Sequence, residues 1–288
     1  MTFLVPIVAL GLLTLVLAGL IVIAYKKLYV YEDPRIDLVE NMLPHANCGA
    51  CGFPGCRPFA EALVSGKVLP GKCTVSNDEG RMAIATFLGV ALGAEEKIVA
   101  RLACGGGINV TINRAKYNGI DTCQAATLVG GGGKACSWGC LGYGDCAVVC
   151  DFDAITMDAF DIPVVDVNKC TACGDCVEAC PKGLFTLHPI SHKLWVACKS
   201  LEAGDEVLNV CEVGCTACGK CAMDAEGNSI SMIKNLPVID YTKLHNTLDP
   251  IQRCPTGAIV WLDDKSGPIK GKESKKIIRK GHKNMGYS

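Results

Sequence analysis

The sequence predicts an α+β chain in which a single N-terminal transmembrane helix precedes a row of small cysteine-rich modules. Three observations predict it. Residues 3–25 form an apolar run without a charged side chain. Of the 288 residues 20 are cysteine, many of them at C-x-x-C spacing. Short β-prone stretches follow the cysteine runs, D-A-I-T-M after Cys150 and G-L-F-T-L after Pro181. Composition narrows the chemistry further. Disulfide scaffolds belong to short secreted chains, whereas C-x-x-C repeats in a longer chain point to metal ligation by thiolates. Bound metal contributes to folding free energy, so an aromatic content of only 6% is no objection to a folded state. A net charge of −1 gives no global sign of nucleic-acid binding.

The apolar run comes first. About 23 residues span roughly 34 Å as a helix, enough to cross a bilayer. Met1-Thr2 supplies no basic region of the kind that precedes a cleaved signal peptide, so the span is read as retained. Lys26 and Lys27 follow it, with Arg35 a little further on. The positive-inside rule then places the N-terminus outside and the remaining chain in the cytoplasm, in the inner (cytoplasmic) membrane, where the reducing environment suits thiolate ligands. An amphipathic stretch with Ile36, Leu38, Val39, Met42 and Leu43 reads as a short helix leading away from the membrane.

Next, L-P-H-A-N-C-G-A-C-G-F-P-G-C-R-P places Cys48, Cys51 and Cys56 in a Gly/Pro-rich loop, with Cys73 further on. The glycines allow tight turns that let several thiolates converge, and the set suits one [4Fe–4S] cluster. Structural zinc is the rival on spacing alone, and the runs downstream favour iron. His45 reads as a hydrogen-bonding neighbour rather than a ligand. Residues 81–101 carry a helical apolar period expected to pack over this small domain. The glycine stretches at 105–107 and 130–133 lack the strand and Lys-Ser/Thr of a P-loop and read as flexible connectors.

Cys170, Cys173, Cys176 and Cys180, followed by Pro181, reproduce the C-x2-C-x2-C-x3-C-P run that holds [4Fe–4S] clusters in bacterial ferredoxins, where the last cysteine reaches to the other cluster. A looser run, Cys136, Cys140, Cys146 and Cys150, stands upstream, with Asp151 in the position of the proline. The cross-over rule assigns Cys136, Cys140, Cys146 and Cys180 to one cluster and Cys150, Cys170, Cys173 and Cys176 to the other.

A third run begins with Cys215, Cys218 and Cys221, yet Ala225 occupies its fourth position. Cys254 stands before Pro255, and the three positions upstream at ferredoxin spacing are Leu244, Thr247 and Pro250. The same rule makes Cys215, Cys218, Cys221 and Cys254 one complete ligand set. Leu244, Thr247, Pro250 and Ala225 are then the whole of its lost twin, with packing expected in its place. Cys104, Cys123, Cys198 and Cys211 fall outside these runs; they read as buried thiols, with a fifth cluster or an exchange of ligands with the neighbouring runs as the alternative. The tail holds Lys265, Lys270, Lys272, Lys275, Lys276, Arg279, Lys280 and Lys283 and reads as a solvated end, with contact to anionic lipid as the rival.

The predicted fold is therefore α+β: an anchor (1–28), a small single-cluster [4Fe–4S] domain (29–103), a Gly-rich connector (104–134), a ferredoxin-like two-cluster module (135–190), a partly degenerate second ferredoxin-like module with one cluster (191–264) and a basic tail (265–288). With four [4Fe–4S] clusters and no acid, base or nucleophile in a catalytic arrangement, the chain reads as an electron carrier. In the order of its parts, from Thr2 to about Leu262, and above all in residues 48–57, it resembles the B subunit of the Rnf complex, the ion-translocating ferredoxin:NAD oxidoreductase. The longer form with an added C-terminal module resembles anaerobe versions.

The resemblance implies electron input from reduced soluble ferredoxin and transfer to integral-membrane and flavin/NAD partner subunits, with no independent catalytic site. The residues agree: the span lacks an ionisable relay, and the chain lacks a nicotinamide fingerprint. The alternatives are a membrane-tethered polyferredoxin subunit of another dehydrogenase or hydrogenase, and a zinc-stabilised scaffold.

Overall fold

The computed structural model describes residues 4–28, 32–263 and 266–275. Phe3 of the apolar run, and Lys265, Lys276, Arg279, Lys280 and Lys283 of the tail, lie outside the described residues.

Helix α1 (Leu4–Leu28) has Lys26 and Lys27 in its last turn, where cations also complement the negative end of the helix dipole. Its stretch Ile7–Leu28 has a mean hydropathy of 2.9 and buries nothing against the rest of the chain. A helix apolar on every side yet unpacked has lipid as its natural solvent.

Helix α2 (Arg35–Met42) packs on α3 (Cys56–Val64), and Val39, Leu43, Phe59, Leu63 and Ile84 make their common core. Arg57 on α3 donates to Glu32 (2.5 Å), Asp37 (2.9 Å) and Glu40 (2.7 Å) and so ties the segment nearest the membrane to the first domain. Helix α4 (Asp78–Leu88) is capped by the Asn77 side chain, which accepts from the Gly80 amide at 2.9 Å.

The structure differs from the sequence reading here. The helix expected to reach residue 101 stops at Gly89, which takes the left-handed conformation (φ 66°) that ends many helices. Residues 98–102 become strand β1 (Ile98–Leu102). A four-residue apolar spacing such as Ile98 and Leu102 suits a helix face and a strand face alike. Burial of Val99 and Ala100 between them marks a strand covered on both sides.

Beyond β1 come α5 (Cys123–Leu128), α6 (Asp145–Val148), the hairpin β2 (Ile155–Met157) with β3 (Pro163–Val165), α7 (Asp175–Ala179) and β4 (Phe185–Pro189), which pairs antiparallel with β1. The order then recurs. Strand β5 (Leu194–Val196), after which α8 (Gly204–Val210) intervenes, is followed by α9 (Lys220–Asp224), the hairpin β6 (Ile230–Ile233) with β7 (Leu236–Ile239), α10 (Asp249–Gln252) and β8 (Ile259–Asp263), which pairs antiparallel with β5. Three of the short helices, α6, α7 and α9, each start after a left-handed glycine: Gly144, Gly174 and Gly219.

Within the glycine stretches Gly107 and Gly133 are closely packed, whereas Gly130 faces open space. A Cβ on Gly107 would lie 2.8 Å from Phe160, and one on Gly133 would lie 2.2 Å from the Ala115 carbonyl oxygen. Part of the tail is likewise ordered: β9 (Gly267–Ile269) pairs with β8, and the amides of Glu273 and Lys275 donate to the carbonyls of Gln252 and Pro255. The positions read as a lost ligand set are not packed alike. Pro250 is buried and Ala225 packs on the core, but Leu244 is 83% exposed.

Candidate metal centres

In the first domain the loop before α3 presents Cys48 and Cys51, the first turn of α3 presents Cys56, and Cys73 enters the domain core. Left-handed Gly49 and Gly52 close the loop, and the Asn47 side chain accepts from the Cys56 amide at 2.8 Å. Burial raises the pKa of the Cys51 thiol, and the neighbouring Cys73 and Cys48 add to the shift. His45 is exposed, and its carbonyl accepts from Asn47.

Three further cavities are each lined by four thiols. Cys150, Cys170, Cys173 and Cys176 surround one, as the cross-over pattern requires. Cys215, Cys218, Cys221 and Cys254 surround another. The remaining cavity is lined by Cys140, Cys146, Cys180 and, in place of Cys136, by Cys123. The Asp145 carboxylate accepts from the amides of Cys123 (2.8 Å) and Gln124 (3.1 Å), holding the start of α5 against the start of α6. Cys136 lies elsewhere, its sulfur beside Gly139 and under the influence of Cys104.

Four-coordinate zinc draws its sulfurs to about 2.3 Å from one point. Four thiols lining each cavity are the donor set that a [4Fe–4S] centre takes. Backbone amides aim at the sulfurs, as cluster ligation favours: Ala100 donates to Cys170 (3.4 Å), Ala154 to Cys150 (3.3 Å) and Leu184 to Cys180 (3.4 Å). Burial pushes the thiols of Cys146, Cys176 and Cys215 up to about 12 and that of Cys221 up to about 11, and adjacent thiols add to the shift. Iron held by these thiols would reverse this balance, because a cation beside the sulfur stabilises the thiolate.

Residues 43–75 match the family model described as a putative Fe-S cluster, and residues 135–184 match the 4Fe-4S dicluster domain. The chain is 39% identical over 256 residues to the B subunit of the Na(+)-translocating ferredoxin:NAD(+) oxidoreductase complex of Acetobacterium woodii, covering 89% of this chain and 77% of that one. It is 36% identical to the proton-translocating counterpart of Clostridium ljungdahlii, covering 86% and 90%. It is also 36% identical to the B subunit of the ion-translocating oxidoreductase complex of Methanosarcina acetivorans, covering 85% and 95%. The chain belongs to the family of Rnf-complex B subunits.

It is thus a membrane-associated iron–sulfur electron-transfer subunit of an ion-translocating oxidoreductase complex, and other subunits of that complex are its expected partners. The cysteine that lines this cavity and that spacing did not place there is Cys123. The signal for it was present: counting back from Cys146 at ferredoxin spacing puts ligands at 143 and 140, and position 143 is Tyr143. A run lacking its second thiol calls for one from outside, and Cys123 is the cysteine that the Asp145 cap delivers.

Proposed function

We propose that this protein takes electrons from reduced ferredoxin and delivers them to its membrane and flavin-bearing partners, with [4Fe–4S] clusters bound at the Cys48/Cys51/Cys56/Cys73 loop, at Cys140/Cys146/Cys180, at Cys150/Cys170/Cys173/Cys176 and at Cys215/Cys218/Cys221/Cys254. Such clusters supply one-electron transfer when bound. The residues do the rest: thiolates hold iron, the amides of Ala100, Ala154 and Leu184 favour charge on sulfur, and the module cores limit solvent. The convergence of four thiols on each of three separate cavities is the observation that carries this reading.

The sets follow one another through the molecule. The Thr74 hydroxyl, next to Cys73, donates to the Thr171 carbonyl, next to Cys170, at 2.6 Å. Cys146 and Cys176 then share one core. We place the N-terminus outside, a single crossing at α1, and the cysteine modules in the cytoplasm, on the strength of Lys26 and Lys27. The modules are a ferredoxin-like pair whose second copy has lost one ligand set.

Full-length protein prepared without oxygen and mixed with reduced ferredoxin should bleach in the visible and develop the electron paramagnetic resonance of reduced [4Fe–4S] clusters. Zinc in place of iron and acid-labile sulfide would refute the reading. Bleaching by ferredoxin in a complex that lacks flavin and NAD subunits would favour the polyferredoxin alternative.

A further inference from the structure

Four cysteines that belong to no single run meet between the two repeats. The chain after β1 passes between them: the Ala103 amide donates to the Leu184 carbonyl, the Gly105 amide to the Ala197 carbonyl at 3.0 Å, and Trp195 Nε1 to the Leu102 carbonyl at 2.8 Å. Cys104 is thereby set beside Cys198. Residues 110–112 then form a ladder with two neighbours. On one side the Ile112 amide donates to Val210 and the Glu212 amide to Val110, and Thr111 bridges Cys211. On the other the Ala135 amide donates to Ile112, next to Cys136. Backbone pairing alone therefore brings Cys104, Cys136, Cys198 and Cys211 to one place.

We propose that Cys104, Cys136, Cys198 and Cys211 hold a fifth [4Fe–4S] cluster between the two modules, and that Cys123 takes the position at the Cys140, Cys146 and Cys180 site that spacing assigned to Cys136. The inference rests on the iron–sulfur reading above and extends it.

The sulfurs are presented as ligands are elsewhere in this chain. Cys104 Sγ accepts from the amides of Gly106 (3.5 Å) and Cys140 (3.4 Å), and Cys198 Sγ from those of Ser200 (3.4 Å) and Cys215 (3.3 Å). These match the 3.3 to 3.4 Å contacts to Cys150, Cys170 and Cys180. Gly106 lies against the group: a Cβ there would stand 3.2 Å from Cys211 Sγ and 3.7 Å from Cys104 Sγ.

Lys134 is an independent sign. Its side chain is buried, and its ammonium donates to the carbonyls of Gly106 (2.6 Å) and Cys140 (2.5 Å), with no carboxylate in an ion pair with it among the described residues. A buried cation needs a compensating anion. The Cys140 carbonyl that it meets belongs to a residue of the neighbouring thiol set, so thiolates held by iron there would supply that anion. The arithmetic also closes: 20 cysteines divide into five sets of four with none left over. The position is informative as well. Cys104 touches the backbone of Cys140, and Cys198 touches that of Cys215, so this set stands between the first repeat and the second.

The test counts iron and sulfide in the full-length protein, reconstituted anaerobically to constant content and followed by Mössbauer spectroscopy. The proposal expects about 20 iron atoms per chain, against about 16 for four clusters. Cys198→Ala/Cys211→Ala should lose about four iron atoms, as should Cys136→Ala, while both keep the signals of the Cys140 site. Cys123→Ala should lose a different cluster, the one that Cys136→Ala spares. About 16 iron atoms in the parent chain, zinc at this site alone, or loss of the same cluster from Cys123→Ala and Cys136→Ala would each overturn it. The parent count needs no variant, so a misfolded substitution does not decide the outcome. A chain wholly without iron would instead overturn the underlying iron–sulfur reading.

Discussion

Replacing Lys134 by Met tests the electrostatics of the thiol sites most directly. The ammonium is buried and held only by the carbonyls of Gly106 and Cys140, on the strands of chain that carry Cys104 and Cys140. Two unit charges 4 Å apart at an effective dielectric constant of 20 interact by about 4 kcal/mol. One carbonyl separates the ammonium from the thiol sites, so the distance roughly doubles and the interaction falls to about 2 kcal/mol. With 1.4 kcal/mol equivalent to 59 mV for one electron, that is about 80 mV.

The sign follows from charge. Reduction adds an electron that Lys134 attracts, so Lys134→Met should make the nearest cluster about 80 mV harder to reduce. Lys134→Arg keeps the charge and should shift the potential far less. The two carbonyls left without a donor should also cost about 1 to 3 kcal/mol of stability each. A redox titration monitored by electron paramagnetic resonance reads the potential, and circular dichroism checks the fold. A folded Lys134→Met protein with an unchanged or raised potential would show that the lysine does not act on these sites.

Three further outcomes follow from particular contacts. Thr74→Val removes the hydrogen bond to the Thr171 carbonyl and should cost about 1 kcal/mol, loosening the first domain from the next module; hydrogen exchange across residues 43–75 should rise, and unchanged exchange would count against the contact. Asp145→Ala strips the cap from the amides of Cys123 and Gln124, costs about 1 kcal/mol, and should let a chelator extract iron from the Cys146 site faster than from the Cys150 site; equal rates would contradict the placement of Cys123. His188 and His192 face each other through Nδ1 atoms 3.1 Å apart, among Glu96, Arg101, Tyr241 and His245, and burial holds both below the ordinary value of 6.5. The unfolded chain therefore binds more protons than the folded one as pH drops below about 6.5, and stability should fall with it. The midpoint of urea unfolding should decline on that acid limb, and less so in His188→Phe; a midpoint rising toward acid pH would reverse the assignment.

Much of this architecture was legible because ligand spacing is a local property. The run Cys170, Cys173, Cys176 and Cys180 states its own geometry, and so does the paired loss of Leu244, Thr247, Pro250 and Ala225, since the cross-over rule divides eight positions into two sets of four. Cys215, Cys218, Cys221 and Cys254 line one cavity. What spacing could not convey is delivery from a distance. Cys123 is held near Cys146 by a carboxylate on another helix, and the backbones of Cys211 and Cys136 are drawn together by loop hydrogen bonds through residues 110–112. The end of α4 was missed for a related reason. The apolar spacing was right, but pairing with β4, whose sequence lies about 90 residues downstream, made residues 98–102 a strand.

On the ferredoxin-like reading of the second repeat, one ligand set persists there and its twin does not. Had the lost site simply been filled by apolar side chains, all four replacements would be buried, yet Leu244 points into solvent while Pro250 and Ala225 join the core around Ile251. The retained set is the one whose Cys215 amide contacts Cys198, and so the one continuous with the thiols that lead back to Cys104 and Cys140. A set in contact with the row of thiols is constrained from both sides, by its own module and by the neighbour it touches. On this reasoning Cys254→Ala should disturb the spectrum of the Cys198 site as well as abolish its own, whereas Leu244→Ala should disturb neither.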